Sequence, residues 1–151
     1  MKNQFVLISI LLSIILLISG FCDKKSPANM NTNTKNSKMT IKIGSKTFEA
    51  TLYDNETATA FKAMLPLTLK MTELNDNEKY ADLANKLPTH SLNPKTIQNG
   101  DLMIYGSKTL VLFYKTFSTP YSYTKLGRVT DTTGLADVLG DEDVTISFEL
   151  H

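Results

Sequence analysis

Tyr114, Phe117, Tyr121, Tyr123 and Arg128 fall within 15 consecutive residues and are the side chains of this chain best suited to hold a ligand. Aromatic rings supply apolar contact area, and tyrosine hydroxyls orient a polar group. Arg128, the one arginine of the sequence, could take a carboxylate or a backbone carbonyl. Tyr80 and Asp82 are candidates to border the same mouth. A competing reading makes Phe113 or Tyr114 and Phe117 core residues, gives Tyr121 and Tyr123 to loop stability, and pairs Arg128 with Asp131 or Glu149.

Other chemistries are poorly provided for. His90 and His151 are the two histidines and Cys22 is the single cysteine. They offer no serine–histidine or cysteine–histidine pair for nucleophilic attack and no paired nitrogen or sulfur ligands for a metal. The acidic runs Asn75–Glu78 and Asp141–Asp143 fit no calcium loop and read as solvated turns. A glycine-rich phosphate loop is also missing. The expectation is no catalytic residue, no metal and no cofactor.

The elements that must position the aromatic residues centre on residues 100–117. Asp101 to Tyr105 and Thr109 to Lys115 read as strands around the turn Gly106-Ser107-Lys108. Leu110 to Tyr114 is apolar without alternation, which predicts a wall buried on both faces. Before it, Met39–Ile43 and Lys46–Tyr53 alternate around Gly44-Ser45 as an opening hairpin. Asp54 or Asn55 can cap a helix over Glu56–Leu65 that Pro66 ends. Leu67–Met71 reads as a third strand, Lys79–Leu87 as one or two helical turns, and Pro88–Asn99 as a loop.

After the central pair, Ser118–Lys125 reads as a polar loop and Leu126–Val129 as a short strand. Thr132 or Thr133 caps a helix over Leu135–Leu139, which Gly140 ends. Val144–Leu150 alternates cleanly, with Val144, Ile146, Phe148 and Leu150 facing in. Six or seven strands and two or three short helices predict a mainly β sandwich or small barrel. The alternating strands at the two ends of the domain could pair to close a barrel.

The first 38 residues differ in kind. Lys2 precedes an apolar run, Phe5 to Ile18, of 14 residues, short for a membrane span of roughly 20. Ile18-Ser19-Gly20-Phe21-Cys22 resembles a bacterial lipobox, although Phe21 stands where a small residue is usual. This predicts a signal peptide over 1–21 and a lipid on Cys22 that anchors the protein to a membrane outside the cytoplasm. The alternatives are a secretory signal cut near Gly20, with release to the periplasm or cell surface, and an uncleaved anchor. Residues 22–38 read as a disordered tether and 39–151 as the folded domain. That domain carries 11 basic and 14 acidic side chains, a net charge of −3, which argues against nucleic acid as a partner.

Several segments together carry a family resemblance: ATLYDNETA, LPLTLKMTELNDNEKYADL, GDLMIYGSKTLVLFYKTFSTPYSYTKLGRV and GLADVLG. From about Thr40 to Leu150 the chain resembles the bacterial cyclophilin-like fold family. The resemblance implies a closed eight-stranded β-barrel with short helices at its ends. It implies less about activity. Cyclophilins that isomerise prolyl bonds use an arginine within a run of arginine, aromatics and a glutamine-glycine-glycine segment. That run is absent here, as is tryptophan, and Arg128 does not align with the arginine. The expected function is therefore a lipid-anchored envelope module that binds a small molecule or a peptide without catalysis. The alternative is a prolyl isomerase with a non-standard site.

Overall fold

The computed structural model describes residues 37–151. The leader, the lipobox with Cys22 and most of the tether lie outside the described residues. The first strand, β1 (Ser37–Ile43), starts two residues before the domain boundary expected from the sequence. Ser37 and Lys38 pair there with Leu52 and Thr51. β1 turns through Gly44-Ser45 into β2 (Lys46–Leu52). Gly44 has φ +56, a conformation in which a side chain is strained, so glycine suits this two-residue turn.

Helix α1 (Glu56–Lys62) follows, capped by Asn55, whose side chain accepts from the Ala58 N–H at 2.8 Å. It stops short of the predicted Leu65. Phe61 enters the barrel core and meets Phe148 edge to face at 6.2 Å. β3 (Leu67–Leu74) is longer than the alternation of Leu67–Met71 predicts.

The chain next departs from expectation. Glu78–Asp82 is a strand, β4, and not helical turns. Its period is hidden because the inward position after Glu78 is Lys79, a charged residue that is nonetheless fully buried. The expected loop 88–99 contains a short strand, β5 (Thr96–Ile97). β6 (Asp101–Tyr105) and β7 (Thr109–Phe113) form the predicted central pair. Among the described residues β8 (Phe117–Ser118) pairs only with β5, and β9 (Thr124–Val129) begins two residues earlier than predicted. Helix α2 (Leu135–Leu139) starts after Gly134, at φ +74 with no side-chain cap, where Thr132 or Thr133 was expected. β10 (Val144–Leu150) ends the chain, with Ile146 and Phe148 buried but Leu150 exposed.

Eight strands close into a barrel in the order β1-β10-β3-β4-β7-β6-β9-β2, every pairing antiparallel. β1 and β10 pair over Met39 to Ile43, so the two end strands of the domain are neighbours in the wall. Closure leaves the barrel with no free edge.

The unbroken apolar run of β7 has a direct structural cause. Neighbouring residues on a strand point to opposite faces. Leu110 and Leu112 join a core cluster contributed from around the barrel. Val111 and Phe113 join a second cluster with Ile97, Met103 and Tyr123. The first is the barrel interior. The second lies on the outside of the wall, roofed by the β5–β8 pair and its flanking loops.

Candidate ligand groove

The outer cluster is the floor of the candidate site. On β4, Glu78, Tyr80 and Asp82 share the face opposite Lys79 and Ala81. β7 adds Val111, and β6 ends there with Tyr105. The loop after β8 returns along this face, held by the Leu92–Tyr123 bridge and by the Ile97–Phe117 pairing. Between floor and loop lies a cavity of about 560 Å³ lined by Glu78, Tyr80, Tyr105, Phe117, Tyr121 and Tyr123, among others.

The rings form a connected series. Tyr121 meets Tyr105 at 6.3 Å with the planes at 87°, and Tyr105 meets Tyr123 at 5.6 Å and 51°. Tyr123 stands edge-on to Phe113 at 5.4 Å, and Phe113 meets Phe117 at 5.8 Å. Such tilted and perpendicular contacts suit the ring quadrupoles better than a face-to-face stack. Tyr123 is buried, whereas Tyr121 is 58% exposed, so one ring is foundation and the other is rim.

Electrostatics distinguish the two carboxylates of the groove. Asp82 accepts from Lys108 Nζ at 2.8 Å and from the Thr109 hydroxyl at 2.7 Å, which hold its carboxyl below the usual carboxylate range. Glu78 is half-buried, and burial, with the nearby charge of Glu73, pushes its carboxyl up to about 7. Burial likewise raises Tyr123, with the charge of Glu78 adding to the effect.

The structure brings three of the five predicted site residues together: Phe117, Tyr121 and Tyr123 line the cavity, and so do Tyr80 and Asp82. Tyr114 does not. It follows the outward-facing Phe113 and so turns inward, where it is buried in the core cluster and donates its hydroxyl to Glu73 Oε2 at 2.8 Å. Arg128 does not line the groove either. It pairs in register with Asp101 and Thr51 and is exposed. Asp101 is four residues from Tyr105 on β6, roughly 13 Å along the strand.

Neither Asp131 nor Glu149 forms an ion pair with Arg128 among the described residues. Asp131 accepts from the Thr133 N–H at 2.9 Å, and Glu149 takes Lys42 Nζ at 2.8 Å. Sequence reasoning passed over Tyr105 and Glu78. Tyr105 carried one signal, a large aromatic at the outward position just before the Gly106 turn. Glu78 carried none, since it closes a run that reads as a solvated turn.

A second cavity, of about 610 Å³, lies between the start of α1, the 88–94 loop and β9. Its polar groups are largely satisfied by each other. Asn55 Nδ2 donates to the Lys125 carbonyl at 3.0 Å, the Thr57 hydroxyl to the Pro88 carbonyl at 2.7 Å, and the His90 N–H to the Thr124 hydroxyl at 3.0 Å. Tyr123 is the one Phe, Tyr or Trp among its described lining residues and forms a wall common to both cavities. The aromatic groove therefore has the better recognition surface, although it is the slightly smaller of the two. Among the described residues, no three His, Cys, Asp or Glu side chains are grouped to hold a metal ion.

Comparison with known proteins gives a family and a fold. The pattern of the cyclophilin-like family matches residues 41–149. The solution structure of a hypothetical protein from Archaeoglobus fulgidus superposes with a TM-score of 0.54 at 20% identity, covering 81% of this chain and 100% of that one. At that identity the likeness concerns the fold. No curated protein sequence matches the chain.

Proposed function

The chain belongs to the cyclophilin-like family, and from that premise we propose that it is a binding module that holds a small molecule or an extended peptide on the outer wall of its barrel without catalysing a reaction. One observation carries this reading: the cavity walled by Tyr80, Tyr105, Phe117, Tyr121 and Tyr123. Its volume is that of an ordinary small-molecule site, and its rings join apolar area to orienting hydroxyls. Family membership alone would not support the reading, because one fold hosts many functions.

The same proposal places the domain outside the cytoplasm, tethered to a membrane through lipid on Cys22. Lys2, the apolar run from Phe5 to Ile18 and the position of Cys22 support it.

The test is an NMR titration of the full chain with a short Ala-Pro peptide and a set of small organic fragments. Shift changes at Tyr80, Tyr105 and Tyr121 are expected, with peptide cis–trans exchange at its uncatalysed rate. Accelerated exchange would replace the reading with an isomerase. No shift at any groove residue with any compound would sink it.

A further inference from the structure

We propose that the groove takes a small organic cation, with an ammonium group seated against the rings of Tyr80, Tyr105 and Tyr121 and facing the Glu78 carboxylate. The inference rests on the groove being the binding site and names the class of ligand it selects.

Charge is the first observation. Among the described residues, no lysine, arginine or histidine lines the cavity, whereas two carboxylates do. Asp82 is already engaged by Lys108 and Thr109. Lys79 is adjacent to Glu78 in sequence, but it points through the wall and is held by Glu73 and the carbonyls of Gly140 and Glu142. Among the described residues Glu78 has no comparable partner; burial and the charge of Glu73 are the influences that act on its carboxyl. The groove thus presents one half-buried carboxyl without an ion-pair partner among the described residues, which carries its charge above about pH 7 and more readily once a cation is seated beside it. An anionic ligand would meet it with no cation to offset the repulsion, whereas a cation would supply the missing charge.

Ring geometry is the second and independent observation. Tyr105 stands edge-on to Tyr121 and tilted to Tyr123, so the walls meet at angles. The face of an aromatic ring carries the negative part of its quadrupole and attracts a cation within about 6 Å. Several rings set at angles can contact one compact ammonium group from more than one side. An apolar ligand would use the same rings but gain nothing from Glu78.

The experiment compares two probes of the same shape on the full chain. Choline carries the charge, and 3,3-dimethyl-1-butanol replaces its quaternary nitrogen by carbon. Choline is expected to shift the Tyr80, Tyr105 and Tyr121 resonances and to bind at least tenfold more tightly than the alcohol. Glu78→Gln and Tyr121→Ala should each weaken choline several-fold and leave the alcohol within twofold for Glu78→Gln. Equal binding of both probes overturns the cation inference and leaves the groove as a binding site. Absence of choline binding also overturns it, whatever the peptide and fragment titration shows. A wild-type affinity for choline in Glu78→Gln overturns the role given to Glu78.

Discussion

Tyr114 donates its hydroxyl to Glu73 at 2.8 Å inside the barrel, and the same carboxylate oxygen receives the ammonium of Lys79. The Lys79 ammonium also lies 5.5 Å from the Tyr114 ring centre and donates to the carbonyls of Gly140 and Glu142 at 2.8 and 2.7 Å. A fully buried lysine is tolerated because its three donors all find acceptors. These bonds tie β4 to the turn between α2 and β10. Glu73→Gln removes the countercharge and is expected to cost about 3 kcal/mol in urea unfolding, because it strands a buried cation. Tyr114→Phe, which loses one hydrogen bond to a charged group, is expected to cost about 1–2 kcal/mol.

The pH dependence of the Glu73 contribution has a definite sign. Burial disfavours its ionised form, but the bonds from Lys79, Tyr114 and the Asp76 N–H outweigh that and hold the folded carboxyl below its usual value. The stabilisation is therefore present above the ordinary carboxylate range and lost as pH falls through the lowered folded value. Glu73→Gln should show a shallower loss of stability on acidification than the wild type, measured by urea midpoints down to pH 3.

Glu78 has the opposite sign. Its carboxyl is raised to about 7 in the fold, so the folded state binds more protons than the unfolded one between the ordinary carboxylate range and pH 7. Stability must fall as pH rises through that window. Glu73 and Tyr123 are the titratable neighbours that act on it or feel it. After discounting for its partial exposure, the loss from pH 5 to pH 8 is about 1 kcal/mol relative to Glu78→Gln. Equal slopes for the two proteins would show that Glu78 titrates as an ordinary surface carboxyl.

Gly127 packs where no side chain fits. A Cβ there would stand 2.6 Å from the Thr51 carbonyl oxygen and 3.1 Å from Leu52 Cδ2, and backbone cannot move aside as a flexible side chain can. Gly127→Ala is expected to destabilise by about 1–3 kcal/mol through strain between β2 and β9. A melting temperature equal to that of the wild type would mean that the two strands separate without cost.

Tyr121 and Arg128 should divide cleanly in a binding assay. Tyr121 is a groove rim residue at 58% exposure, and Arg128 lies outside the groove. Tyr121→Ala should weaken any groove ligand several-fold while leaving stability within about 0.5 kcal/mol. Arg128→Ala should leave the same affinity unchanged. Loss of binding in Arg128→Ala alone would move the site along the wall toward Asp101.

The proposed lipid anchor on Cys22 has a direct readout. Mass spectrometry of the mature protein from the native host should find a diacylglyceryl mass on Cys22. An unmodified N-terminus near Gly20 would favour simple secretion, and an intact Met1 would favour an uncleaved anchor.

The sequence by itself determined the barrel's strands where local rules decide alone. The β1–β2 hairpin, the β6–β7 pair, α2 and β10 are legible because alternation, turn glycines and helix ends act over a few residues. The both-faces burial of β7 was legible for the same reason: four apolar residues in succession leave no wet side. Tertiary structure decided the rest. β4 was masked because Lys79 is buried, and a lysine can be buried only when Glu73, Gly140 and Glu142 converge on it from elsewhere in the chain. The aromatic site shows the same division. Composition identified Phe117, Tyr121 and Tyr123, but strand parity turned Tyr114 inward and β9 pairing set Arg128 beside Asp101. Tyr105 and Glu78 became groove residues only because β4, β7 and β6 are neighbours in the closed wall, which no local pattern records.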